Sequence, residues 1–233
     1  MTEEIAQVRD LIKTFGKGDT ETRVLKGITL SIMRGEMAAL LGPSGSGKST
    51  LLTILGTLMR ATGGAHTMLG VDLMDASDAQ RTAFRSKYLG FVFQFHHLLP
   101  ELSALENVMM PAASAAGRET SAMRSRAAAL LDAVGLADRR EFRPAELSGG
   151  QRQRVAVARA LINGPALVLA DEPAGNLDRE SADQVMELIK TINRDTGTSF
   201  IISTHDEHIA TQCGRRIRLF DGRVAAPDLP ASA

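Results

Sequence analysis

The segment Gly42-Pro43-Ser44-Gly45-Ser46-Gly47-Lys48-Ser49 constrains this chain more than any other feature. It fits G-x-x-x-x-G-K-[ST], and it lies between the apolar run 37–41 and a helix-like run that opens at Thr50. Glycines in such a loop let successive backbone N–H groups converge on one phosphate. The helix that follows adds its positive end. Lys48 supplies a compact charge for β and γ phosphates, and Ser49 a hydroxyl for Mg²⁺. The loop therefore predicts a strand–loop–helix unit, and with it an α/β protein built on a mostly parallel sheet.

The rest of the pattern agrees. Apolar runs at 24–32, 37–41, 89–93, 167–170 and 200–203 read as strands. The last three are nearly continuous in apolar residues, as strands covered on both faces are. Residues 215–220 and 223–225, joined by Asp221-Gly222, read as a β-hairpin. Helices are expected after Gly47 and over 78–87, 121–134, 150–163 and 180–195. Few strand signals fall in 77–138. Together with the helix after Gly149, this stretch predicts a helical subdomain over about 77–160, inserted into one domain spanning 1–233. Residues 226–233 hold prolines and small residues and read as a mobile tail.

Composition removes other classes. The chain has 27 Lys+Arg against 27 Asp+Glu, so no net charge draws it to nucleic acid or anionic lipid. It has no Trp and one Tyr, which leaves little to stack on bases. Its one cysteine, Cys213, allows no intrachain disulfide and reads as a small buried hydrophobe. The opening Met1-Thr2-Glu3-Glu4 is acidic, unlike a signal peptide. No apolar run approaches the roughly 18 residues needed to span a bilayer.

Two further segments carry chemistry. Leu167-Val168-Leu169-Ala170-Asp171-Glu172 is a buried strand ending in carboxylates at the sheet's carboxyl edge. Asp171 suits Mg²⁺, while Glu172, pointing elsewhere, suits polarising a water. In Leu147-Ser148-Gly149-Gly150-Gln151, Ser148 and Gln151 form a capping box. By itself that is only a capped helix. In a chain that already has one phosphate cradle, a second anion-ready helix end suggests a site completed by another subunit.

These segments together closely resemble the ATP-binding cassette (ABC) ATPases, over nearly the whole chain. The resemblance implies a P-loop NTPase core with an antiparallel β edge subdomain and an inserted helical subdomain. Residues 42–49 match the Walker A loop, with Thr50 beside it; residues 167–172 match Walker B with its catalytic glutamate, Glu172; Ser148, Gly149, Gly150 and Gln151 match the signature. Gln94 stands at the Q-loop, where the family's glutamine senses Mg²⁺ and the membrane partner. His205 stands at the switch histidine that contacts the γ-phosphate. Asp178 closes the D-loop, and Phe15 falls where an aromatic residue stacks on adenine. ATP and Mg²⁺ are the implied ligands, with Ser49, Gln94 and Asp171 toward the metal. A head-to-tail dimer formed on ATP binding is also implied, each ATP lying between one copy's Walker A loop and the other's signature. Three departures stand out: Phe15 for a frequent Tyr, Ala174 for a frequent Thr or Ser, and Gly175-Asn176 for a common Ser-Ala. None removes a catalytic group, so active hydrolysis is expected.

The stretch 94–108 informs about partners. Adjacent His96 and His97 cannot easily face one ion, and no third metal ligand is evident. The stretch reads either as core or as a groove for a short helix of a membrane subunit, lined by Leu98, Leu99, Leu105, Met109 and Met110. With Arg143-Pro144-Ala145-Glu146 and residues 171–178 it is similar to the lipoprotein-releasing (Lol) transporter ATPases, a branch that also holds macrolide-exporter and cell-division ATPases. That similarity implies two copies beneath two inner-membrane proteins, at the cytoplasmic face, with no direct membrane insertion and no nucleic acid. Arg152, Arg154 and Arg159 read as a solvated helix face. A soluble ABC ATPase acting on DNA or ribosomes usually has a coiled-coil insertion or two cassettes; this chain has neither. A small P-loop kinase has no use for the 147–151 segment.

Overall fold

The structure is a computed structural model that describes residues 3–225. The expected tail at 226–233 lies outside them. Two sheets organise the chain. A four-stranded antiparallel sheet runs in the order β2-β1-β4-β5, with β1 Glu4–Phe15, β2 Thr22–Met33, β4 Gly63–Met68 and β5 Val71–Asp72. A six-stranded sheet runs β10-β9-β3-β8-β7-β6, with β3 Met37–Leu41, β6 Leu89–Phe93, β7 Leu167–Asp171, β8 Ser199–Thr204, β9 Arg215–Phe220 and β10 Arg223–Val224. Strands β9, β3, β8, β7 and β6 are parallel, and β10 turns back antiparallel on β9.

The helices are α1 Lys48–Leu55, α2 Asp78–Tyr88, α3 Ala104–Ala116, α4 Ser121–Ala133, α5 Gly149–Leu161, α6 Arg179–Thr196 and α7 Glu207–Thr211. The first turns of α2, α3 and α5 are closed by capping boxes, Ser77 with Gln80, Ser103 with Glu106 and Ser148 with Gln151.

Strand alternation explains why the parallel strands read as unbroken apolar runs. Leu167, Leu169 and Ile201 face a core shared with α1 and the four-stranded sheet. Val168, Ala170, Phe200 and Ile202 face a second core under α5 and α6. Both faces are dry along the middle of β3, β6, β7 and β8, so those stretches carry apolar residues on both sides, with polar groups such as Ser199, Ser203 and Thr204 at the ends of β8. Helix α5 joins this second core to a third. Its Val157, Ala160 and Leu161 pack on the sheet, while Val155 and Ala158 pack with Leu105, Val108, Ala127 and Leu131 of α3 and α4. The approach to β6 is close: a Cβ at Gly90 would collide with the carbonyl oxygen of Ala160.

The expected helical span of about 77–160 contains β6, which belongs to the six-stranded sheet, and Phe84 of α2, which belongs to the first core. The helices that pack on one another are α3, α4 and α5. Strands β1, β4 and β5 were not expected from the sequence. In β1 the register shifts between Val8 and Leu11, around Asp10 at φ 47°, so the two-residue period breaks halfway. The sequence of β4, Gly-Gly-Ala-His-Thr-Met, offers little apolar signal. Its His66 is buried all the same. Burial first, and the Arg81 charge second, push its imidazole down to about 4 against an opposing pull from Asp72.

Candidate active site

Four loops leave the carboxyl edge of the six-stranded sheet, after β3, β6, β7 and β8. They bound a cavity of about 670 Å³. From the first loop come Ser44, Gly45, Gly47, Lys48, Ser49 and Thr50; the others give Gln94, then Asp171 and Glu172, then Ser203 and His205. A larger apolar cleft, about 890 Å³, opens at the opposite edge beside Tyr88, Ala166 and Thr198, away from the 42–49 loop.

The first loop is shaped by close approach. A Cβ at Gly42 would collide with the carbonyl oxygen of Leu219, and Gly47, at φ 103°, caps α1 in the left-handed region. The loop is tied to the β9–β10 turn, where Gly222 N–H donates to the Ser46 carbonyl at 3.1 Å. Lys48 Nζ donates to the carbonyls of Gly42 at 2.6 Å and Pro43 at 3.1 Å, within its own loop.

Across the cavity, Glu172 follows the end of β7. Its backbone sits at φ 48°, a left-handed conformation that is costly for a residue with a side chain. Its N–H donates to Ser203 O at 3.0 Å. The turn aims the carboxylate at His205, whose Nδ1 lies 2.8 Å from Glu172 Oε1. Glu172 is largely enclosed, while the imidazole is mostly open to solvent. Ser203, which the sequence reading passed over, is fully buried; its Oγ has no protein partner and lies beside Asp171 in the sheet. Its signal in the sequence was slight: a hydroxyl in an apolar strand one step before Thr204 and His205.

The donors around the cavity fit Mg²⁺. Ser49 offers a hydroxyl, Asp171 a carboxylate, Gln94 an amide oxygen and Ser203 an orphaned hydroxyl, all hard oxygens. Among the described residues no cluster of three or more His, Cys, Asp or Glu could hold a metal by itself. Such a sparse set suits a cation that takes its remaining ligands from phosphate and water.

The remaining predicted residues lie elsewhere on the chain. Ser148, Gly149, Gly150 and Gln151 start α5 outside the cavity lining. The glycines there also admit neighbours: a Cβ at Gly150 would press Ser181, and one at Gly149 would touch Leu177. Asp178 caps α6, accepting from Ser181 N at 2.9 Å and Ser181 Oγ at 2.7 Å, which holds its carboxyl below the usual range. Phe15 ends β1, 40% exposed, with Lys13 Nζ 4.9 Å from its ring centre. It too lies outside the cavity lining.

Two expectations about the 94–108 stretch and α5 need correction. Leu105 and Met109 are buried in the helical core, so they line no groove; the exposed apolar groups are Phe95 and Leu99. Periodicity alone could not separate the two faces of α3. Nor are the α5 arginines a solvated face. Arg152 donates to Leu147 O, Arg154 to Val134 O, and Arg159 to His97 O and His96 O at 2.6 Å each. His96 and His97 are consecutive left-handed residues, at φ 62° and 47°, and the Arg159 fork holds both carbonyls of that turn. The fully buried Asn107 fixes the next turn: its amide donates to the carbonyls of Leu99, Leu102 and Ser103 and accepts from Leu99 N.

The ABC transporter family profile matches residues 25–175, which takes in the phosphate loop, the signature segment and the Glu172 turn. The chain belongs to the ABC transporter family. This cassette is 55% identical over 222 residues to the lipoprotein-releasing system ATP-binding protein LolD 1 of Caulobacter vibrioides, covering 95% of each chain. It is 56% identical over 228 residues to the LolD 2 protein of Rhodospirillum rubrum, covering 98% of this chain and 99% of that one. Among solved structures it is similar to a dimeric ATP-binding cassette in a post-hydrolysis state bound to ADP and Pi. The TM-score is 0.89 and the identity 37%, over 98% of this chain and all of that one. The fold is that of an ABC ATPase cassette, and the chain is an ABC ATPase.

Proposed function

We propose that this chain is the ATP-hydrolysing subunit of an inner-membrane transporter that releases lipoproteins toward the outer membrane, and that two copies close around ATP at the cytoplasmic face. The observation that carries the two-copy reading is the division of the site. One cavity gathers the phosphate loop, Asp171, Glu172 and His205, while the anion-ready start of α5 lies outside its own chain's cavity. A second copy is needed to bring the two together. The dimeric state of the similar solved cassette supports this arrangement. The cargo follows from the relatives, which are named for lipoprotein release.

In this reading the backbone N–H groups of residues 42–49 and the Lys48 ammonium hold the β and γ phosphates. Ser49, Gln94 and Asp171 would hold Mg²⁺, which would supply charge neutralisation for the phosphate oxygens. Glu172 accepts the proton of a water whose oxygen bonds to the γ-phosphorus as the β–γ bridge bond breaks. His205 orients that carboxylate and the phosphate. Phe15 stacks on the adenine. The exposed Phe95 and Leu99, held by Arg159 and Asn107, receive a short helix from one membrane subunit, and the second copy serves the other subunit in the same way. Among the described residues no helix is long and apolar enough to cross a membrane, which fits a peripheral subunit.

The test is co-purification from native membranes followed by ATPase assays. We expect two membrane proteins to travel with the chain and to stimulate its turnover. Stimulation by nucleic acid alone overturns the transporter reading.

A further inference from the structure

We propose that Asn176 is a positioning residue for the Mg²⁺-facing amide of Gln94. The inference rests on the reading of the cavity as a Mg²⁺–ATP site, and it gives the Gly175-Asn176 departure a cause.

The argument starts from a backbone carbonyl, which can only accept. Asn176 Nδ2 donates to the Gln94 carbonyl oxygen at 3.4 Å. That contact fixes which end of the Asn176 amide is nitrogen, and so turns its Oδ1 toward the Gln94 side chain. Oδ1 in turn can only accept, and Gln94 Nε2 donates to it at 3.1 Å. The Gln94 amide is thereby oriented by a chain of two bonds that begins on its own backbone. Its Oε1 is left with no protein partner among the described residues, on a side chain that lines the cavity. A free glutamine amide samples both flips, and half of them present N–H groups, which repel a cation. An alanine at 176 could make neither bond. Gly175 lets the two loops come this close: a Cβ there would sit 3.3 Å from Gln94 Nε2 and 3.3 Å from Glu172 Oε2. Outer groups that orient a metal ligand in this way typically change metal affinity by about 10- to 100-fold.

The experiment measures ATP binding by equilibrium dialysis, at fixed ATP, as MgCl₂ is raised. The proteins are the full-length parent, Asn176→Ala, Asn176→Asp, Gln94→Ala and the Gln94→Ala/Asn176→Ala pair. ATP binding without Mg²⁺ reports the phosphate loop and the fold, and is expected to be equal in the parent, Asn176→Ala and Asn176→Asp; each Gln94→Ala protein is read against its own Mg²⁺-free value. For Asn176→Ala the half-saturating Mg²⁺ is expected to rise about tenfold. Asn176→Asp keeps the acceptor for Gln94 Nε2 but loses the donor to the Gln94 carbonyl, so its shift is expected to fall between those of the parent and Asn176→Ala. In the Gln94→Ala background the Asn176→Ala change is expected to add nothing, because it acts through Gln94. An Asn176→Ala curve that overlays the parent overturns the proposal, as does an equal added shift without Gln94. If the parent itself shows no Mg²⁺-dependent binding, the reading of the cavity fails first.

Discussion

Glu172 and His205 hold each other across the cavity, Oε1 to Nδ1, at 2.8 Å. With the carboxylate ionised, Nδ1–H donates, and a neutral ring then offers only a lone pair at Nε2. A phosphate needs a donor. In the function we propose, where His205 meets the γ-phosphate, the phosphate competes with Glu172 for Nδ1–H, which ties phosphate arrival to the freedom of the carboxylate. For Glu172→Gln we expect ATP binding at the parent level and turnover lower by at least about 10²-fold. Single-turnover hydrolysis checks this, and parent-rate turnover removes Glu172 from its role.

Lys48 is expected to exchange its two carbonyl contacts for phosphate oxygens. Both contacts lie within its own loop, at 2.6 and 3.1 Å, so the ammonium is already within the cradle. Lys48→Ala loses charge-assisted bonds worth about 1.5–3 kcal/mol each. Nucleotide affinity should fall by about 10-fold or more in an equilibrium titration.

Arg159→Lys tests the bracing of the turn after Gln94. A planar fork reaches both the His96 and His97 carbonyls, and a single ammonium does not match that geometry. We expect a loss of about 1–3 kcal/mol in urea unfolding. Proteolytic cleavage near residues 95–99 should be faster, with nucleotide affinity unchanged.

His66 sets a pH dependence. Its folded pKa, about 4, lies below its ordinary 6.5 because the ring is buried and faces Arg81, with Asp72 pulling the other way. Between those values the unfolded chain binds a proton that the folded chain does not, so stability falls as pH drops from 6.5 toward 4. The full loss is about 3 kcal/mol at 1.36 kcal/mol per pH unit. The melting temperature of the parent should therefore fall more between pH 7 and 5 than that of His66→Leu. Equal slopes would assign the acid sensitivity to other groups.

What was legible in the sequence follows from where the signal is local. Strands β3, β6, β7 and β8 announce themselves because both faces are dry, and the capping box from Ser148 to Gln151 spans four residues. Residues around the cavity were legible because glycine and lysine at fixed spacing have few other uses. What was missed depends on distant partners. The bulge at Asp10 hides β1, the arginines of α5 find carbonyls far off in the chain, and Ser203 matters only because β8 runs beside Asp171.

The left-handed backbone of Glu172 has one more consequence. Folding alone favours glycine or asparagine at that turn, by up to about 1–2 kcal/mol. A glycine or asparagine there is expected to fold at least as stably as the glutamate, so in the two-copy arrangement we propose such a variant still fills its place in the assembly without supplying the carboxylate.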